Sequence, residues 1–218
     1  CRSGAKEEFG LRADPTISVD SANGQMIVAV PDFWQNFPRS LVVDDGAIAV
    51  GLCPVDAPEA VELQGGEQKT HRVVVAFGAD TVSDPPLAWV HEPLRLVVDP
   101  SYVAETGAVP FLVAASDDPS PSYLALAALA LDPASGFVAK REAADEYGWR
   151  DFGDLPADHE SAFQPPDRPF VSHYNNQYDA VAAFGIHFLR TGDARWWRLM
   201  DDLARPVRDI DIYRTHED

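Results

Sequence analysis

The chain has 218 residues, 46% of them hydrophobic, which is enough for one large domain or two small ones. Its 35 acidic residues against 17 basic ones give a formal charge of −18, and a surface this acidic excludes nucleic acid as a partner, because a phosphate backbone demands a basic footprint. No run of 18 apolar residues occurs, so no membrane-spanning helix and no membrane partner are expected. The two cysteines, Cys1 and Cys53, make no disulfide framework. Lysine is scarce, so arginine would have to line any pocket that holds an anion.

Residues 1–112 read as β-rich. Gln25 to Val30 is a short strand, followed by an aromatic, proline-bounded loop from Pro31 to Pro38. Ser40 to Val43 runs into Asp44-Asp45-Gly46, a turn signal, and Ala47 to Leu52 reads as the returning strand of a hairpin. Ala60 to Leu63 leads into a second turn at Gln64-Gly65-Gly66-Glu67. Thr70 to Phe77 is rich in β-branched residues and reads as a strand, as does Leu94 to Val98. Short strands separated by turns predict a β-sandwich or part of one.

Residues 113–170 are a transition. Ser122 to Leu131 reads as a short buried helix or a strand, and Val138 to Glu146 as a helix. Gly148 to Phe170 is a long loop rich in Asp, Gly and Pro. It carries Trp149, Phe152 and Phe163, so a functional or bridging role is expected rather than a linker. Residues 172–214 predict a helical hairpin. Ser172 is placed to cap the first helix, and Tyr178, Val181, Ala182, Gly185, Phe188 and Leu189 form its apolar stripe. Thr191-Gly192-Asp193 ends that helix and caps the next. Trp196, Met200, Leu203, Val207 and Ile210 recur at helical spacing, with Pro206 placed to kink or split the second helix.

The stretch Ser172-His173-Tyr174-Asn175-Asn176-Gln177-Tyr178-Asp179 carries the most chemistry. It crowds an imidazole, two phenols, three carboxamides and a carboxylate into a helix start that has little apolar surface to bury. Facing a polar cleft, the free N–H groups and positive dipole end of such a helix would hold an anion. His173 and Gln177 share a face, as do Tyr174 and Tyr178. His173 or Tyr174 is the candidate acid/base group, with Asn175, Asn176 and Tyr178 as substrate binders. The bland alternative is a capping cluster with Tyr178 in the core. Trp149 and Arg150 are a candidate sugar platform with a guanidinium for a carboxylate. His159 and Glu160, beside Asp158, are candidate hydroxyl binders; the alternative is a solvated acidic loop. Lys69 and His71 fall on alternate positions of the expected strand and would share one side. The three clustered residues at 158–160 are too close in sequence for a convincing metal triad, so no metal site and no cofactor are expected, and a divalent cation is unsupported.

Two blocks carry a family resemblance. One is Glu62-Leu63-Gln64-Gly65-Gly66-Glu67-Gln68-Lys69-Thr70-His71. The other runs from Tyr147-Gly148-Trp149-Arg150-Asp151-Phe152-Gly153-Asp154 through Asp158-His159-Glu160 and Ser172 to Asp179, then into Leu189-Arg190-Thr191-Gly192-Asp193 and Asp209-Ile210-Asp211-Ile212-Tyr213. Together they resemble exo-rhamnogalacturonan lyase-like proteins, the relatives of polysaccharide lyase family 26. The resemblance covers about two thirds of the chain. It implies a partial β-sandwich over 1–112 and the first helical hairpin of an (α/α) toroid over 113–218, the chain being a piece of a longer protein. It also implies β-elimination on a uronate-containing pectic polysaccharide, an acidic saccharide as partner, and an extracellular or periplasmic setting. At Pro206 the chain departs from the family pattern, which has histidine there. A toroid stopped after one helical pair would leave apolar faces uncovered, which puts activity of the piece alone in question. The rivals are a glycoside hydrolase on the same toroid, needing two carboxylates across a bound sugar, and a non-catalytic carbohydrate-binding or scaffold module.

Overall fold

The computed structural model describes residues 2–3, 6–7, 10–22, 24–57, 60–155 and 175–215. Among them the chain is a mixture of strands and helices: two small antiparallel sheets, a two-residue ladder between β1 (Arg2–Ser3) and β2 (Lys6–Glu7), and six α-helices. It divides into two compact units. The first comprises residues 1–94 with 148–150, and the second residues 95–147 with 151–218. The division lies N-terminal to residue 112.

The first unit is built on β4 (Gly24–Ala29), the middle strand of a sheet ordered β3 (Thr16–Ser21), β4, β7 (Val74–Phe77). Ile27 and Ala29 point to one face and pack on Leu87 and Val90, the latter from α1 (Ala88–His91). Val28 points to the other face and clusters with Val30, Phe33 and Trp34, and with Leu41, Ile48 and Val50 of a hairpin. That hairpin is β5 (Ser40–Asp44) and β6 (Ala47–Gly51). Its two-residue turn has positive φ at Asp45 (45°) and Gly46 (76°), the turn whose twist suits antiparallel strands. A strand buried on both faces explains the continuous apolar run Met26 to Val30.

Several expected strands are absent among the described residues. Thr70 to Phe77 is a strand only from Val74, and Ala60–Leu63 and Leu94–Val98 have none. Leu94 and Leu96 are exposed, so the second run finds neither a ladder nor a core to join. The strand-rich reading of 1–112 also gives way to α1 and to α2 (Pro100–Thr106), which Asp99 caps through the Ser101 N–H.

The second unit is helical. Ser122–Leu131 resolves its helix-or-strand ambiguity as α3 (Pro121–Leu129), but the helix is not buried: Leu126 and Leu129 face solvent. α4 (Phe137–Ala144) follows. α5 (Ala180–Thr191) and α6 (Ala194–Pro206) form the expected hairpin. Gly192 ends α5 at φ +67°, and Asp193 caps α6 through the Arg195 N–H. Phe184 and Phe188 of α5 and Trp196, Leu199 and Leu203 of α6 form the core with Leu155.

α5 begins later than the polar run suggests. Asn175–Tyr178 is a 3-10 turn, and Asp179 adopts a left-handed conformation (φ 49°, ψ 51°) that separates it from the helix. Asp179 is the cap, accepting from the Ala182 N–H at 3.2 Å. Of the expected stripe Phe188 is buried and Val181 and Leu189 pack against the core, joined by Phe184, whereas Ala182 is exposed and Tyr178 lies outside the helix. After Pro206, the chain widens into a π turn over Val207–Asp211, with the Ile212 N–H reaching the Val207 carbonyl at 3.1 Å. Proline lacks an N–H to continue the regular ladder, so the helix changes pitch there.

Candidate functional site

In the first unit the two resemblance blocks meet. Gln64-Gly65-Gly66-Glu67 is a tight turn closed by the Glu67 N–H on the Gln64 carbonyl at 3.0 Å, with Gly66 at φ +94°. The Glu67 carboxylate folds back on the Gln64 N–H at 2.9 Å. Arg150 then donates to both of its oxygens, Nη1 to Oε2 at 3.1 Å and Nη2 to Oε1 at 2.5 Å. The Glu67 side chain is shielded from solvent and that of Arg150 is about one third exposed, at 35%. The guanidinium, and secondly the Gln64 N–H, hold the Glu67 carboxyl below its ordinary pKa against an opposing desolvation effect.

Residues 148–150 belong to this unit because their backbone is tied to the aromatic loop. Gly148 N–H donates to the Gln35 carbonyl and Trp149 N–H to the Phe37 carbonyl, both at 2.8 Å. Trp149 is half-buried, and the Arg150 guanidinium lies 5.7 Å from its ring centroid. The two do form a ring-and-guanidinium pair, but the guanidinium fork is directed at Glu67. Lys69 and His71 lie before β7 and outside any strand, so strand alternation does not govern which way they face. Arg39 donates to His71 Nδ1 at 3.2 Å and to the Pro31 and Asp32 carbonyls. A guanidinium only donates, so His71 Nδ1 is the acceptor and its proton sits on Nε2.

In the second unit the head of α5 carries the rest of the candidates. His159, Glu160, His173 and Tyr174 lie outside the described residues. The Asn175 and Asn176 backbones form the 3-10 turn. Gln177 is exposed, and so is Tyr178, at 63%. An exposed phenol is not the core residue of the capping-cluster alternative. Asp154 is buried and accepts the Leu155 N–H at 2.8 Å. No group of His, Cys, Asp and Glu among the described residues has the geometry to hold a metal ion.

One cluster escaped the sequence reading. His187, in the middle of α5, stacks on Trp196 with centroids 4.4 Å apart, and its Nε2 lies 3.3 Å from the Tyr123 hydroxyl. Arg190 lies over the other ring of the stack, 5.2 Å from the Tyr123 centroid, while bonding the Val113 carbonyl and the Asp118 carboxylate. His187, Arg190 and Trp196 line a cavity of about 400 Å³. Burial, and secondly the Arg190 charge, pull the His187 pKa below its ordinary value, which favours the neutral ring. The only signal in the sequence was a lone histidine within the apolar run Val181 to Leu189.

Comparison with protein-family models gives no match, and comparison with curated proteins gives none either.

Proposed function

We propose that the protein acts on an acidic polysaccharide, cleaving a uronate-containing pectic chain by β-elimination. The resemblance of the two blocks to exo-rhamnogalacturonan lyase-like proteins supplies the substrate class. The observation that carries the reading is the open head of α5, where a polar turn presents the Tyr178 phenol to solvent instead of to the core.

Three tasks follow from the chemistry. The uronate carboxylate must be neutralised so that the adjacent carbon becomes acidic. A base must take that proton, and the electron pair then forms a carbon–carbon double bond as the bond to the 4-linked oxygen breaks. An acid must protonate that leaving oxygen. His173 or Tyr174 is assigned the proton transfers, and Asn175, Asn176 and Tyr178 the binding of carboxylate and hydroxyls. Arg150 is assigned a positioning role, since its fork engages Glu67 and its flat face accompanies Trp149. Trp149 is a sugar-stacking surface in the first unit.

The test is incubation with rhamnogalacturonan and with polygalacturonate while ultraviolet absorbance of an unsaturated product is followed. The reading requires absorbance to rise and His173→Ala or Tyr174→Phe to abolish the rise. New reducing ends without absorbance would show a glycoside hydrolase. Saturable binding with no product would show a carbohydrate-binding module.

A further inference from the structure

The second unit holds an open cavity of about 950 Å³ formed by the end of α3, the turn after it, α4 and the first turns of α6. Its lining is mainly apolar, with Leu131, Pro133, Val138, Ala139 and Leu199 contributing. Its two carboxylates are already engaged. Asp132 accepts from the Ala134 and Ser135 N–H groups and from the Ser135 hydroxyl. Glu142 accepts the Tyr147 hydroxyl at 2.6 Å.

The three arginines of the cavity differ. Arg195 is held by Asp193. Arg95 lies 5.2 Å from the Trp197 ring centroid and meets no carboxylate among the described residues. Arg198 is exposed and also meets none. Elsewhere in this unit Arg141, Arg190, Arg205 and Arg208 each pair with an aspartate. Among the described residues Arg214 also meets no carboxylate, bonding the Ile212 carbonyl instead, but it does not line the cavity. Two such groups border one apolar cavity.

We propose that this cavity binds a small organic monoanion, a carboxylate on an apolar body. The body lies against Leu131, Pro133, Val138 and Ala139, and the carboxylate meets Arg95 and Arg198. Ligand sites typically enclose about 300–1,000 Å³, are mostly apolar and carry a few polar groups; this cavity has that size and an apolar lining with Arg95 and Arg198 on its border. A neutral apolar molecule would leave the guanidiniums unused. A cation would find its carboxylates occupied. None of the lining residues belongs to the head of α5, so the site is independent of the β-elimination reading.

The probes are 2-naphthoate and its neutral analogue 2-naphthalenemethanol, titrated calorimetrically at low salt. The naphthoate should bind saturably with one-to-one stoichiometry and more tightly than the alcohol. Arg95→Gln and Arg198→Gln should each weaken naphthoate roughly three- to tenfold, since both guanidiniums are partly screened by water, and leave the alcohol unchanged. Ala143→Trp, which fills the cavity from an exposed position on α4, should abolish binding of both. Equal affinity for the two probes, indifference to the arginine substitutions in variants with native circular dichroism, or no saturable binding would each overturn the proposal.

Discussion

Arg150 and Glu67 stand 83 residues apart in sequence and share two parallel hydrogen bonds, at 3.1 and 2.5 Å. The fork matches the carboxylate, which is the geometry that arginine supplies and lysine does not. Glu67 is presented by a turn that Gly66 makes possible, and Arg150 by a segment tied through its neighbours to the Gln35 and Phe37 carbonyls. The pair thus joins a loop from each resemblance block within one unit.

Removing either partner should therefore destabilise the first unit more than replacing both. Arg150→Lys should lose most of what Arg150→Met loses, because an ammonium cannot make two parallel bonds. In a double-mutant cycle, Glu67→Gln with Arg150→Met should cost less than the sum of the two single changes. Urea denaturation of the four proteins checks this. Strict additivity would mean that the two side chains act independently.

Gly153 is held against α6. A Cβ there would stand 2.0 Å from the Asp202 carbonyl oxygen and 3.2 Å from Pro206 Cδ, and its φ is +106°. The obstruction is backbone, which cannot swing aside as a side chain tip does. Gly153→Ala should therefore cost about 3 kcal/mol or more, combining overpacking with a strained backbone. Gly10, whose Cβ would meet nothing within 4 Å and whose φ is ordinary, should accept alanine without loss. Thermal melts of the two variants compare them directly, and equal melting temperatures would contradict the packing described.

The parts of this architecture written as local chemistry were legible from the residues alone. Asp45-Gly46 specifies its turn, and Thr191-Gly192-Asp193 stops one helix and starts another, because glycine's backbone freedom and an aspartate cap act within a few residues. Strand length was not legible. Val73 and Thr70 resemble Val74 in composition, yet pairing with β4 begins only at Val74, where a partner on the sheet exists. The helix start was hidden for a related reason: Asp179 is a good helix cap and Ser172 is another, and the sequence does not rank them. On the candidate site, Trp149 beside Arg150 was visible as a pair, while the Glu67 partner depends on folding across 83 residues. His187 was overlooked because a single histidine in an apolar helix resembles a core residue until Tyr123 is brought beside it.

Four carboxyls among the described residues are held below their ordinary pKa: Glu67 chiefly by Arg150, Asp80 chiefly by the Leu87 N–H and then the Val82 N–H, Asp132 chiefly by the Ser135 hydroxyl and then the Ala134 N–H, and Asp193 chiefly by the Arg195 guanidinium. As pH falls, the unfolded chain takes up these protons before the folded one does. Their stabilisation is thus complete well above the unfolded pKa of about 4 and fades as pH drops through the lower folded values. Acidification also relieves the repulsion within a chain of −18, an opposing trend. The difference between the protein and Asp80→Asn isolates one carboxyl from that background. The variant should be less stable at pH 7, and the two denaturation midpoints should converge towards pH 3. A gap that is constant or grows on acidification would show that the Asp80 charge is not what holds the Leu87 turn.

Arg141 and Asp202 form a buried pair at 2.9 Å, with side chains 6% and 10% exposed, linking α4 to α6. The guanidinium also lies 5.2 Å from the Phe152 ring, so the loop before residue 155 packs on the same group. Taking both charges out of water is costly, and their attraction offsets that cost only while both are present. Asp202→Asn or Arg141→Met alone should therefore cost about 3–5 kcal/mol, because each leaves a buried charge without the opposite charge of this pair. Arg141→Met with Asp202→Leu removes both charges and keeps apolar volume between the helices. It should recover most of the loss, and the measurement is the unfolding free energy of all four proteins from urea titration. A double variant no more stable than the single ones would mean that the polar contact itself, and not the stranded charge, sets the energy of this junction.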